Sequence, residues 1–162
     1  MKELFNRVFE NKKVLITGDT GFKGSWLAIW LKELGADVYG YALPPKREED
    51  NFVKCDLNKK IHHLDGDIRD LNKLKDYFEK VQPDIAFHLA AQAIVLESYK
   101  NPHYTFETNV IGTINFFEAV RNTISVKVAI KTVMGINSHY MPKNWFPSNF
   151  NHRFWFNCGF FT

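Results

Sequence analysis

The sequence predicts an α/β fold, a mostly parallel sheet between two layers of helix, and three observations carry that expectation. Short β-branched apolar runs alternate with segments whose apolar residues recur at helical spacing. A glycine-rich turn joins the first such run to the first helical segment. The length of 162 residues, with 45% hydrophobic and 24% charged side chains, suits one ordinary globular domain and excludes wholesale disorder or a fibrous chain. Strands and helices alternating at this pitch imply βαβ units with right-handed crossovers.

The run KVLIT, residues 13–17, is short, β-branched and bounded by a glycine, which suits a buried parallel strand. After the turn GDTGFKG, the segment Ser25 to Leu34 places Trp26, Leu27, Trp30, Leu31 and Leu34 at helical spacing and stops at Gly35. DVYGY, residues 37–41, reads as the second strand, and PPKREED after it as a solvated loop. Residues 61–67 can supply a short third strand. Asp70 opens a helix with Leu71, Leu74, Phe78 and Val81 on one face, ended by Pro83. DIAFHL, residues 84–89, is the fourth strand. Asn101-Pro102 then punctuates a loop, and Tyr104 to Val120 carries Phe106, Val110, Ile114, Phe117 and Val120 along one helical face. Val126 to Ile130 begins a fifth strand.

The chemistry sits in Gly18-Asp19-Thr20-Gly21-Phe22-Lys23-Gly24, a GxxGxxG spacing between a buried strand and a helix. A dinucleotide site needs such glycines for a sharp turn, for backbone to approach a pyrophosphate, and for close packing of helix on strand. The helix start adds N–H groups and the positive end of its dipole. A glycine turn that merely packs is the plainer alternative. The second strand ends Tyr39-Gly40-Tyr41-Ala42 with no carboxylate for a ribose 2′-hydroxyl, while Lys46 and Arg47 lie in the solvated loop, so charge leaves NAD against NADP open.

The strings TGDTGFKGSWLAIWLKELGADVYGYALPP, DGDIRD and PDIAFHLAAQAIVLESYKNPHYTFETNVIGTINFFEAVR resemble the extended short-chain dehydrogenase/reductases, the NAD-dependent epimerase/dehydratase family, and within it the CDP-glucose 4,6-dehydratase branch. The likeness covers about residues 8 to 130. It implies a three-layer Rossmann-type sheet, of which this chain has only the N-terminal cofactor-binding part, and NAD as cofactor. Residue by residue it implies that Gly18, Gly21 and Gly24 hold the pyrophosphate, with Thr20, Phe22 and Lys23 in the same loop. It further implies that Asp67 and Ile68 meet the adenine, that Leu89, Ala90, Ala91 and Gln92 line the ribose and nicotinamide, and that Asn109 supports the active site. Plainer readings stand beside these: Asp67 capping the next helix, Ala90 and Ala91 packing alone, and His88 as a satisfied core histidine.

In such enzymes a Thr or Ser at the end of strand five and a Tyr-x-x-x-Lys on the next helix do the work. The tyrosinate removes the sugar 4-hydroxyl proton as hydride passes to NAD, and the 4-ketone lets water leave across C5 and C6 before hydride returns to C6. None of those groups is in register here. Tyr140 and Lys143 are three apart with Pro142 between them, and no catalytic residue is assigned. All 18 acidic residues lie at or before Glu118, whereas the last 44 residues carry five Lys and Arg and no acid. The expectation is therefore a cofactor-binding part over residues 1–130 and an aberrant aromatic, basic tail over 131–162, a truncated or frame-shifted extension.

The intact family enzyme is expected to be a homodimer acting on a nucleotide sugar in O-antigen metabolism, and this chain an inactive dinucleotide-binding fragment. A non-catalytic NAD(P)-binding sensor or interaction module is the alternative. No apolar run nears the ~20 residues that span a bilayer, and MKELFNRVFENKK lacks a signal-peptide core, so a cytoplasmic address is expected, without nucleic-acid or membrane partners. Cys55 and Cys158 fit no metal spacing, and the adjacent His62 and His63 cannot share a strand face, so no metal is expected.

Overall fold

A computed structural model describes residues 4–131. The expectations for the tail, including Tyr140, Lys143 and Cys158, lie outside the described residues. Five strands, β1 (Lys13–Thr17), β2 (Asp37–Ala42), β3 (His62–Asp65), β4 (Ile85–His88) and β5 (Val128–Lys131), form one sheet in the order β3-β2-β1-β4-β5, and every neighbouring pair is parallel. Chain order reverses between β1 and β4, so the carboxyl ends of those two strands diverge into connections on opposite faces and leave a crevice there.

Alternation along β1 divides the core in two. Leu15 points with Tyr41 and Ala86 into one cluster, closed by Leu74 and Phe78 of α4 (Leu71–Val81) and by Phe116, Phe117 and Val120 of α7 (Gly112–Arg121). Val14 and Ile16 point the other way with Val38 and Phe87, under Ala28 and Leu31 of α1 (Phe22–Glu33), Phe52 of α2 (Asn51–Lys54) and Leu57 of α3 (Leu57–Lys60). Each of these large apolar side chains contributes about 1.5–3 kcal/mol on burial. This is the three-layer Rossmann-type α/β fold, in its N-terminal part.

Three expectations are corrected. The first helix begins at Phe22, not Ser25, so Phe22, Lys23 and Gly24 form its first turn and not part of the loop. Its buried face is Gly24, Ser25, Ala28 and Leu31, while Trp26 and Trp30 stay 53% and 45% exposed. Gly24 runs directly beneath the Gly18 carbonyl, so close packing selects small residues at the contact and turns the bulky ones outward.

The 104–120 face also breaks. Phe106 is exposed while Phe117 and Val120 are buried, because a π-helical turn at Glu107–Ile111 separates α6 (Pro102–Phe106) from α7; Ile114, after that turn, is exposed at the edge of the buried face of α7. The wider turn shifts the helical phase, so residues before it leave the stripe set by those after it. Finally, Asn101-Pro102 is a helix start and not an open loop: the Asn101 side chain accepts from the Tyr104 N–H at 3.2 Å and Pro102 occupies the first helical turn. Three α-helices had no counterpart in the expected order, α2, α3 and α5 (Val95–Lys100).

Candidate functional site

The first turn is built by backbone. Gly18 has φ +81, which favours glycine; its N–H donates to Tyr41 O at 2.9 Å, and a Cβ there would lie 2.7 Å from Ala90 N. Gly24 can carry no Cβ without overlapping Gly18 O. Gly21 differs from both. Its φ of −72 suits any residue, and a Cβ would meet only Gly18 O, at 3.3 Å. Folding thus demands Gly18 and Gly24, whereas bareness at Gly21 keeps open the space above the turn. Gly21 is also the N-cap of α1, no side chain caps that helix, and its leading amides have no intrahelical acceptor. Bare backbone with a positive helix end is the arrangement an anionic phosphate requires, so these residues fit a dinucleotide pyrophosphate.

Around the turn stand the other predicted residues. Thr20 Oγ1 donates to Leu43 O at 2.9 Å, tying the turn to the segment after β2. Phe22 is exposed on the first turn of α1, with Lys23 beside it. At the end of β3, Asp67 accepts from the Arg69 N–H at 2.9 Å and from its guanidinium at 2.6 Å, and this guanidinium holds the carboxyl below the usual carboxylate range. Arg69 in turn pairs with Glu107 at 3.1 Å and lies over the Tyr104 ring. Asp67 therefore does not cap the next helix; Asp70 does, accepting from the Lys73 N–H at 3.0 Å. Ile68 is buried against Gly112, where a Cβ would come within 2.6 Å of it.

Beyond β4, Leu89 N–H donates to Thr17 O at 3.0 Å and Ala90 N–H to Thr17 Oγ1 at 3.4 Å, so this segment runs beside the carboxyl end of β1; Ala91 next to it is exposed. Gln92 and Asn109 bond reciprocally: the Gln92 N–H donates to Asn109 Oδ1 at 2.8 Å, and Asn109 Nδ2 donates to Gln92 O at 2.9 Å. The π-helical turn presents Asn109 for this pairing. Glycine turn, Asp67, residues 89–92 and Asn109 all lie at the carboxyl end of the sheet, around the crevice between β1 and β4.

His88 is a core residue. It is buried, with Nδ1 2.7 Å from Thr17 Oγ1 and Nε2 3.2 Å from Thr113 Oγ1, its ring stacked on Phe116 at 4.7 Å. Burial, with a smaller push from Lys131, lowers its pKa to about 3. The two adjacent histidines turn apart. His62 Nε2 meets Asp37 Oδ1 at 3.3 Å, while His63 Nδ1 meets buried Asp19 Oδ2 at 2.7 Å. Among the described residues, no group of three His, Cys, Asp or Glu could hold a metal ion, and no helix is long and apolar enough to cross a membrane.

The Asp19–His63 pair was missed in the sequence. One signal could have found it: Gly40, in the middle of a strand, where glycine marks a close approach. A Cβ on Gly40 would overlap the Asp19 carboxylate.

With this geometry in hand, comparison with known proteins is specific. Residues 15–134 match the family model described as GDP-mannose 4,6 dehydratase. The chain is 43% identical over 122 residues to CDP-glucose 4,6-dehydratase of Salmonella typhimurium, covering 75% of this chain and 34% of that protein. It is 40% identical over 120 residues to GDP-mannose 4,6-dehydratase of Vibrio cholerae, covering 68% and 32%. The chain thus spans about a third of the length of these curated relatives. Among solved structures, UDP-glucose 4-epimerase from Brucella ovis in complex with NAD superposes with a TM-score of 0.65 at 29% identity, over 75% of this chain and 35% of that one.

Proposed function

The chain belongs to the GDP-mannose 4,6-dehydratase family, and from that premise we propose that residues 13–131 form the NAD site of a nucleotide-sugar 4,6-dehydratase whose sugar nucleotide is CDP-glucose. The observation that carries the cofactor half is Gly21, bare where the fold tolerates a side chain, at the uncapped start of α1. The turn 18–21 and the leading amides of α1 take the pyrophosphate, Asp67 faces the adenine amino group, and residues 89–92 border the ribose and nicotinamide. Asn109 keeps that border in place through its two bonds to Gln92. NAD, when bound, supplies a reversible hydride acceptor. We favour NAD over NADP because the similar solved epimerase is in complex with NAD; of the two basic residues after β2, Arg47 already pairs with Asp50 at 3.0 Å. The likeness to the Salmonella enzyme supports CDP-glucose as the sugar nucleotide; O-antigen sugar metabolism, a cytoplasmic address and a homodimer belong to the same proposal.

No Tyr in the 162 residues is followed four positions later by Lys, so proton removal from the sugar is assigned to no residue here, and the chain's own task is cofactor binding. Titration of the purified chain with NAD, NADP and CDP-glucose, followed by a search for a 4-keto product, tests this. NAD binding with no keto sugar is expected. Product formation would restore a catalytic group to this chain; NAD binding without product fits a cofactor-binding fragment and a non-catalytic dinucleotide-binding module alike; silence toward NAD would remove the cofactor assignment.

A further inference from the structure

Asp19 stands in the middle of the turn just assigned to phosphates, and a carboxylate is the wrong charge for that place. It is fully buried, one of its oxygens meets His63 Nδ1 at 2.7 Å, and the other, Oδ1, has no hydrogen-bond partner among the described residues. It enters a slot that exists because Gly40 has no side chain. Across the slot His63, 7% exposed, is bracketed by Phe52 of α2 at 4.9 Å and reaches with Nε2 to Asp65 Oδ1 at 3.1 Å. One histidine therefore spans a buried carboxylate of the turn and an exposed one of its own strand.

We propose that Asp19 and His63 are the positioning couple of the phosphate turn: a proton shared between them cancels the buried carboxylate and pins residues 18–21 to β2 and β3 in the form that accepts a dinucleotide pyrophosphate. This rests on the dinucleotide reading. Without that proton, Asp19 is an uncompensated anion beneath an anion site, which weakens both the anchor and the ligand's attraction.

The groups facing the couple are Asp65 on β3 and Tyr77 on α4. The Tyr77 hydroxyl donates to His62 O at 2.9 Å, and its ionisation is opposed by burial and by Asp19. Burial opposes a charge on His63, but the two carboxylates outweigh it and raise the imidazole above its ordinary value; burial also raises the Asp19 carboxyl. The pair titrates as a unit and keeps its proton above the pH at which a free imidazole loses it. Dinucleotide affinity should therefore fall as pH rises through and beyond neutrality.

The experiment uses the full chain with NAD as probe, by calorimetry from about pH 6 to about pH 9, where NAD has no titrating group. Wild type should weaken about tenfold over that range. His63→Gln should bind at the weak level at every pH, and Asp19→Asn with His63→Gln should return to the strong level without pH dependence. A merely structural tie would give no such rescue. An unchanged slope in His63→Gln, or no recovery in the double variant, overturns the proposal. Should His63→Gln fail to fold, Asp19→Asn alone must bind strongly and flatly, and the imidazole signals of wild-type His63 must titrate above a free histidine; the opposite results overturn it equally. If wild type ignores NAD while His63 titrates as described, the dinucleotide reading fails and the tie is structural only.

Discussion

At the scale of single residues, the three glycines of the turn separate folding from binding. Gly21→Ala asks only that Gly18 O yield a few tenths of an ångström, so it should cost at most about 1 kcal/mol of stability while pushing a methyl group into the phosphate space. Gly24→Ala places that methyl group on the Gly18 carbonyl and should cost about 2–4 kcal/mol. Urea unfolding together with NAD titration checks both. Equal destabilisation by the two changes would show that Gly21 is bare for packing and not for a ligand. His88 supplies a second prediction. Its native pKa, about 3, lies below the value of about 6.5 for an unfolded imidazole. Protons therefore bind the unfolded chain first as pH falls through that window. Stability is fully present above about pH 6.5 and should be lost at up to about 1.4 kcal/mol per pH unit below it, until the native histidine protonates. His88→Gln should remove that part of the slope in urea titrations at successive pH values. An unchanged slope would assign the acid sensitivity to other groups.

At the scale of elements, local signals that needed no tertiary context were legible. Asp70 announces α4, and its side chain accepts from the Lys73 N–H as a cap should. Asp70→Ala should cost about 1 kcal/mol by chemical denaturation, with little change in NAD affinity because α4 lies away from the turn. A loss below about 0.3 kcal/mol would mean that another group replaces the cap. Helix α1 was legible as a helix but not in its facing. Nearly every position from Phe22 to Leu34 that is not charged is apolar or small, so spacing alone cannot choose a side, and large residues mislead where the contact is close. The decision belongs to Gly24 against Gly18, a contact that exists only once strand, turn and helix are assembled. The π-helical turn at 107–111 is a similar case, since one extra residue in a turn leaves no mark in a 3.6-residue pattern.

At the scale of the whole molecule, the parallel sheet was legible in the alternation of strands and helices, and the glycine turn located one corner of the site. Partners brought together by strand order were not. His63 reaches Asp19 across 44 positions because β3 lies beside β2 and β2 beside β1, and Asn109 meets Gln92 only after the chain has passed through α5 and α6. The site is therefore a seam between β1, β2, β3 and β4, and anything bound there holds four strands and the start of α1 together. Binding to the native form alone must then raise stability. At 100 times its dissociation constant NAD should add about 2.7 kcal/mol. For a chain of this size that is a rise in melting temperature of roughly 5–10 °C, growing with the logarithm of NAD concentration. Gly21→Ala should abolish the rise while leaving the melting temperature of the unliganded protein nearly unchanged. A wild-type melting temperature indifferent to NAD would show that the seam is a packing feature alone, because no ligand can occupy the native crevice with that affinity and fail to stabilise it.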